Sequence, residues 1–180
     1  MRKVVVSEYL SLDGVAEGPD EFVLVTDFDD SMEADFVNTI SAQDTVLLGR
    51  RTYDDWATFW PSSDIEPFAS FINPVKKFVA TSTPLTQTWS NSTVIDGDLV
   101  EFVTKLKHGP GNDIGVAGSI SLVQSLLEAG LVDQLKLVVA PTIQVRGRRL
   151  FERGLPTRLT LTREVTSAAG YLLLDYQVRS

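Results

Sequence analysis

Apolar residues follow two rhythms along this chain. Short runs recur at Val4-Val5-Val6, Val46-Leu47-Leu48 and Phe78-Val79-Ala80, each of a length suited to a buried strand. Between them, apolar positions return every three or four residues, as on one face of a helix: Met32, Phe36 and Ile40, then Leu99, Phe102, Val103 and Leu106. The pattern predicts strands over 3–10, 45–48, 76–81, 92–95, 114–117 and 133–140. Helices are predicted over 30–41, 50–56, 66–72, 98–107 and 119–128, with Gly130 closing the last of them. Two extended segments, 157–165 and 171–178, meet around Ala169-Gly170 and read as a terminal hairpin. Strands alternating with helices predict a largely parallel sheet. The late strands, which lack intervening helices, predict an antiparallel edge.

Three strand ends carry groups suited to an anion. The run Thr45–Leu48 stops at Gly49, and Arg50, Arg51 and Thr52 open the next helix. A helix N-terminus presents unpaired N–H groups and partial positive charge. Guanidinium groups add forked donors that match phosphate. Positive side chains at a helix start oppose the helix dipole, and a bound anion relieves that conflict. Downstream, Ala117-Gly118-Ser119-Ile120 leads from a strand into a helix, where Gly118 permits close backbone approach and Ser119 or Ser121 can cap. Between these lies a hydroxyl cluster, Thr81-Ser82-Thr83, before Pro84. Ligands of open α/β sheets sit beside the carboxyl ends of strands. Together the three ends predict an extended phosphate-bearing ligand such as a dinucleotide.

Composition narrows the chemistry. The 180 residues suggest a single domain over 1–180 and suffice for a sizeable core. The absence of cysteine excludes disulfides, thiol nucleophiles and thiolate metal sites, and His108 is the only histidine, so no metal site is expected. His108 falls in a Gly/Pro-rich stretch and reads as a surface residue. A net charge of -8 argues against nucleic acid or an anionic membrane as partner. No run approaches membrane-spanning length, and the N-terminus lacks a signal-peptide pattern, so a cytoplasmic protein is expected. Trp56, Phe59 and Trp60 read as core or pocket wall.

The order of motifs resembles the dihydrofolate reductase-like family, in particular the branch similar to the reductase domain of bacterial riboflavin biosynthesis. The resemblance spans nearly the whole chain. It rests on Ser11-Leu12-Asp13-Gly14, Gly49-Arg50-Arg51-Thr52-Tyr53, Ala117-Gly118-Ser119, the segment from Leu127 to Leu135, and Arg148-Arg149-Leu150-Phe151. It departs from the family at Ala117, where a second glycine is common, and over Val145 to Arg148. The resemblance implies three αβα layers around a mixed, mostly parallel sheet with a C-terminal antiparallel hairpin. It also implies an NADPH-dependent reductase, often a homodimer, acting on a small pterin-like or ribosylamino-pyrimidine-like molecule. By motif, Gly49, Arg50, Arg51 and Thr52 would meet the pyrophosphate and adenosine side, and Thr81, Ser82 and Thr83 the adenosine phosphate. Ala117, Gly118, Ser119 and Ile120 would meet the pyrophosphate or nicotinamide ribose, with Gly14 near the nicotinamide.

Proton handling in such a reductase calls for an acid near the substrate. Glu33 stands three residues before Phe36 and seven before Ile40, which places it on the expected inward helix face. The family pattern also has a substrate-facing acid on this helix. The plainer reading is that Asp29, Asp30 and Glu33 complement the helix start. Asp13 is the second candidate, with a simple Asp-Gly turn as the competing explanation. Two other readings of the whole chain stay open: a nucleotide-binding homologue without turnover, and a homodimeric interaction protein that uses its C-terminal strands.

Overall fold

The strands are β1 (Val4–Ser11), β2 (Gln43–Gly49), β3 (Lys76–Ala80), β4 (Ser92–Val94), β5 (Asp113–Val116), β6 (Gln134–Ala140), β7 (Leu159–Thr166) and β8 (Leu172–Val178). All are joined in one sheet in the order β4-β3-β2-β5-β1-β6-β8-β7. The computed structural model describes residues 1–154 and 156–179, so Leu155 and Ser180 of the expected 1–180 span lie outside the described residues. The first six strands pair in parallel, and β8 lies antiparallel to both β6 and β7. This is the mixed sheet with a terminal hairpin that the alternation of elements predicted.

The α-helices on the sheet, among the described residues, are α1 (Asp30–Ser41), α2 (Arg50–Phe59), α3 (Phe68–Ile72), α4 (Leu99–His108) and α5 (Ile120–Glu128). Strand side chains alternate between faces, and the two cores follow that alternation. On one face Val4, Val6, Leu47 and Val116 pack with Val103 of α4 and with Leu122 and Leu126 of α5. On the other, Val46, Leu48 and Val79 pack with Tyr53 and Ala57 of α2 and Ile72 of α3. A third cluster joins Met32 of α1 to Ala140 and Leu173. The predicted boundaries shift little. Helix α2 runs on to Phe59, and α3 starts only after the cis Glu66-Pro67 bond. Gly130, with φ of 65°, follows α5, and the Gly130 N–H bonds to the Leu127 carbonyl as a helix terminator requires.

Lys77 and Glu8 break the apolar pattern of their strands. Lys77 on β3 is fully buried, and its ammonium donates to the carbonyls of Ile72, Asn73 and Val75, closing the end of α3. Glu8 on β1 shares the register of Val4, Val6 and Leu10. The residue is half-buried as a whole, but its Oε1 is shut off from solvent and has no hydrogen-bond partner among the described residues. Burial pushes this carboxyl up from 4.5 to about 8.

Candidate active site

The candidate site forms where two strand-to-helix turns touch. Strand β2 passes into α2 at Gly49, which is extended with φ of -76° and ψ of 160°. Strand β5 passes into α5 through Ala117-Gly118-Ser119, and the Gly118-Ser119 peptide is cis. The Gly49 N–H donates to the Gly118 carbonyl at 3.2 Å. The approach leaves no room for a side chain at residue 49, since a methyl there would stand 2.1 Å from Ser119 Oγ and 2.8 Å from Ser119 Cβ. Gly118 has φ of 95°, and a methyl on it would meet Thr52 Oγ1 at 2.9 Å. These two glycines let the starts of α2 and α5 share one edge of the sheet.

The capping pattern divides the four longer helices. Helix α1 is capped by Asp29, which accepts from the N–H groups of Ser31 and Met32, and α4 by Asp98, which accepts from Glu101. Helices α2 and α5 have no side-chain cap and no acidic residue in the first turn. Helix α2 carries Arg50 and Arg51 there instead. Two N-termini with unanswered donors and positive end charge thus converge.

A cleft of about 420 Å³ opens beside them. Of the residues expected to bind a cofactor, Gly49, Arg50, Arg51, Thr81, Ser82, Thr83 and Ser119 line it. Ala80, Leu99, Ser121, Leu122 and Ser125 complete the wall. The sequence held a signal for the α5 part: Ser121 and Ser125 are four apart and so share one helix side. Thr52 and Gly118 stand behind the lining and set the turn. Gly14, Ala117 and Ile120 are not part of the wall. The Gly14 carbonyl accepts from the Leu150 N–H at 3.1 Å, and Ile120 packs against the core under α5.

The two arginines differ in role. Arg50 spends its donors inside the protein: Nε on Asp54 at 2.7 Å, and Nη1 on Thr83 Oγ1 at 2.8 Å and on the Pro84 carbonyl at 2.6 Å. It therefore pins the hydroxyl loop against α2 and shapes the cleft wall. Arg51 is exposed, and its one partner among the described residues is Glu17, at 3.1 Å.

The acidic candidates are placed differently from the sequence reading. Glu33 is exposed, and so is Val37 on the same helix side, so that side of α1 does not face the core. The sheltered acid of α1 is Asp35, which pairs with Arg163 and, at 3.6 Å, with Lys136; Lys136 also bonds Asp175 at 2.8 Å. Asp13 accepts from the N–H groups of Gln144 and Val145 at 2.9 and 3.0 Å and from Ser11 Oγ at 2.8 Å. Those bonds lower its carboxyl to about 2. Asp13 is a permanently ionised clasp for the 144–149 segment and has no proton to give near neutrality. His108 is the exposed last residue of α4, not a loop residue, with Nδ1 2.8 Å from the Thr104 carbonyl. Trp56, Trp60 and Phe36 pack around Phe68, with centroid separations of 5.4, 4.7 and 5.5 Å, and tie α1, α2 and α3 together. Among the described residues no group of His, Cys, Asp and Glu is arranged to hold a metal ion, and no helix is long and apolar enough to cross a membrane.

Residues 2–173 match the family described as RibD C-terminal domain. The chain belongs to that family. Uncharacterized protein YyaP of Bacillus subtilis (strain 168) is 30% identical over 155 residues, covering 83% of this chain and 80% of that protein. A putative riboflavin biosynthesis protein from Shewanella sp. PV-4 superimposes with a TM-score of 0.76 at 18% identity, covering 99% of both chains. Dihydrofolate reductase from Enterococcus faecalis, solved with NADP(H), superimposes with a TM-score of 0.62 at 15% identity over 99% of this chain and 97% of that one. The dihydrofolate reductase-like fold follows from these likenesses. Membership of the RibD C-terminal domain family, with reductases among the structural neighbours, supports a reductase-type function.

Proposed function

We propose that this chain is an NADPH-dependent reductase of a small heterocyclic or carbonyl substrate, of the pterin or ribosylamino-pyrimidine type. One observation carries the reading: the uncapped starts of α2 and α5 meet at Gly49 and Ser119 on the rim of a cleft lined by arginine and hydroxyl groups. The cofactor would supply the hydride. The chain's own part is to hold it. The first-turn amides of α2 and α5 would take the diphosphate, and the Arg51 guanidinium would reach both it and the extra phosphate of NADPH. Thr81, Ser82 and Thr83, fixed by Arg50, would face the adenosine phosphate, and the apolar side chains of Leu99 and Leu122 give the cleft a dry wall.

The test is twofold. NADPH should raise the melting temperature progressively, roughly with the logarithm of its concentration, since a ligand of the native state stabilises it. Its absorbance should then fall in the presence of a turned-over substrate from a pterin and pyrimidine panel. Arg51→Ala is expected to weaken NADPH about tenfold more than NADH, the worth of one charge-assisted phosphate contact. Equal losses for the two cofactors would remove Arg51 from the extra phosphate.

A specific observation favours a second reading, a nucleotide-binding homologue without turnover. Asp13 is locked as an anion and Glu33 is exposed, so neither expected acid occupies a sheltered proton-donating position. Binding of NADPH with no absorbance change across the panel is the outcome this reading predicts. We also propose that the chain is a homodimer. Leu159, Leu161 and Leu172 are exposed on one face of β7 and β8, in line with the half-buried Leu174 and Tyr176. Light scattering is expected to give twice the chain mass, and Leu161→Lys to give a monomer.

A further inference from the structure

The segment after β1 runs beside the start of α2, where Glu17 meets Arg51, and is fastened on both sides. The N–H groups of Ala16 and Glu17 donate to the Arg148 carbonyl, at 2.9 and 3.3 Å, and Val15 forms a bridge with Arg149. Glu17 adds two contacts of different kinds. Its Oε2 accepts from the Arg148 N–H at 3.1 Å. Its Oε1 meets Arg51 Nη1, also at 3.1 Å. Arg148 in turn reaches Ser121 Oγ on the cleft wall at 3.3 Å. One carboxylate thus links the start of α2 to a strap that touches α5.

The positive charge facing Glu17 is the same Arg51 that the proposed reading assigns to the ligand's phosphate. The other arginine cannot take its place, because Arg50 is engaged with Asp54, Thr83 and Pro84. A carboxylate and a phosphate oxygen want the same guanidinium edge. We propose that Glu17 is an internal competitor for the anion seat, a residue that sets cofactor affinity by holding Arg51 until a ligand phosphate displaces it. This rests on the reading of the cleft as an NADPH site. Arg51 is about three-quarters exposed and Glu17 about one-third, at 74% and 35%. A pair so open to solvent is weak, so the displacement is easy and the effect on affinity is moderate.

Glu17→Gln separates the two contacts. The amide oxygen of glutamine still accepts from the Arg148 N–H, which keeps the strap, while the negative charge facing Arg51 is gone. NADPH is expected to bind Glu17→Gln about two- to fivefold more tightly than the parent, within what exposed ion pairs contribute. In an Arg51→Ala background the same change should have no effect. Inorganic pyrophosphate, titrated in parallel, reports on the seat without the nucleoside. Equal or weaker NADPH binding by Glu17→Gln overturns the proposal while leaving the cofactor reading intact. A gain that persists without Arg51 also overturns it. If NADPH binds neither protein but pyrophosphate binds Glu17→Gln more tightly, the competitor stands and the cofactor reading falls. If neither ligand binds either protein, both fall.

Discussion

Gly49→Ala is expected to raise the NADPH dissociation constant about a hundredfold while the chain still folds cooperatively. The backbone at residue 49 is extended, a conformation that alanine adopts without strain. The damage comes from the added methyl. It would lie 2.1 Å from Ser119 Oγ, 2.8 Å from Ser119 Cβ and 3.0 Å from Ser119 N. The hydroxyl can rotate away, but Cβ and the backbone nitrogen cannot. One helix start must therefore retreat from the other. Overpacking of this kind costs about 1–3 kcal/mol of stability, which a domain of this size survives. A displacement of about 1 Å at groups that must converge on one ligand is worth about a hundredfold. Removing the obstacle should restore part of the loss, so Gly49→Ala with Ser119→Gly is expected to bind better than Gly49→Ala alone. Calorimetric titration measures both variants, and a thermal melt shows that each is folded. Unchanged affinity in Gly49→Ala would mean that the contact between the two turns does not shape the binding site.

Glu8→Gln should stabilise the protein strongly at alkaline pH and hardly at all in acid. The carboxyl of Glu8 titrates at about 8 in the folded chain against 4.5 ordinarily. Between those values the folded chain holds a proton that the unfolded chain has released. Stability therefore falls as pH rises across that window. Glutamine keeps the shape of the protonated acid and carries no charge to strand. At pH 5 the two proteins should melt within a degree or two of each other. By pH 8.5 the variant should be ahead by as much as about 4 kcal/mol, from three units or so of displaced titration. For a chain of this length that corresponds to about 10 °C. Melting curves at the two pH values measure it. A pH-independent difference would show that Glu8 is ionised throughout and has a partner.

The sheet was readable from the sequence because its signals are local. Short apolar runs alternating with helix-spaced segments gave the parallel strands, and the strand-rich C-terminus gave the hairpin. The cleft was readable to the extent that its groups sit at strand ends, as Gly49, Arg51, Thr81 to Thr83 and Ser119 do. What depends on contacts across the chain was not. Arg50 looks like Arg51 in sequence, but only tertiary packing shows that Asp54 and the Thr83-Pro84 backbone consume its donors. Glu33 was read as inward from its spacing to Phe36 and Ile40, whereas the sheltered positions of α1 are Met32, Asp35, Thr39 and Ile40. Glu8 was legible and overlooked. It interrupts the alternation Val4, Val6, Leu10 on an inward register, where a carboxyl needs an explanation.

Titration of NADPH into the parent chain and into Gly49→Ala, followed by calorimetry, decides whether the two touching turns form a cofactor seat. One saturable site per chain is expected, with weaker binding of NADH and loss of most of the NADPH affinity in Gly49→Ala. No binding of NADPH at millimolar concentration, or equal binding by the two proteins, would contradict it.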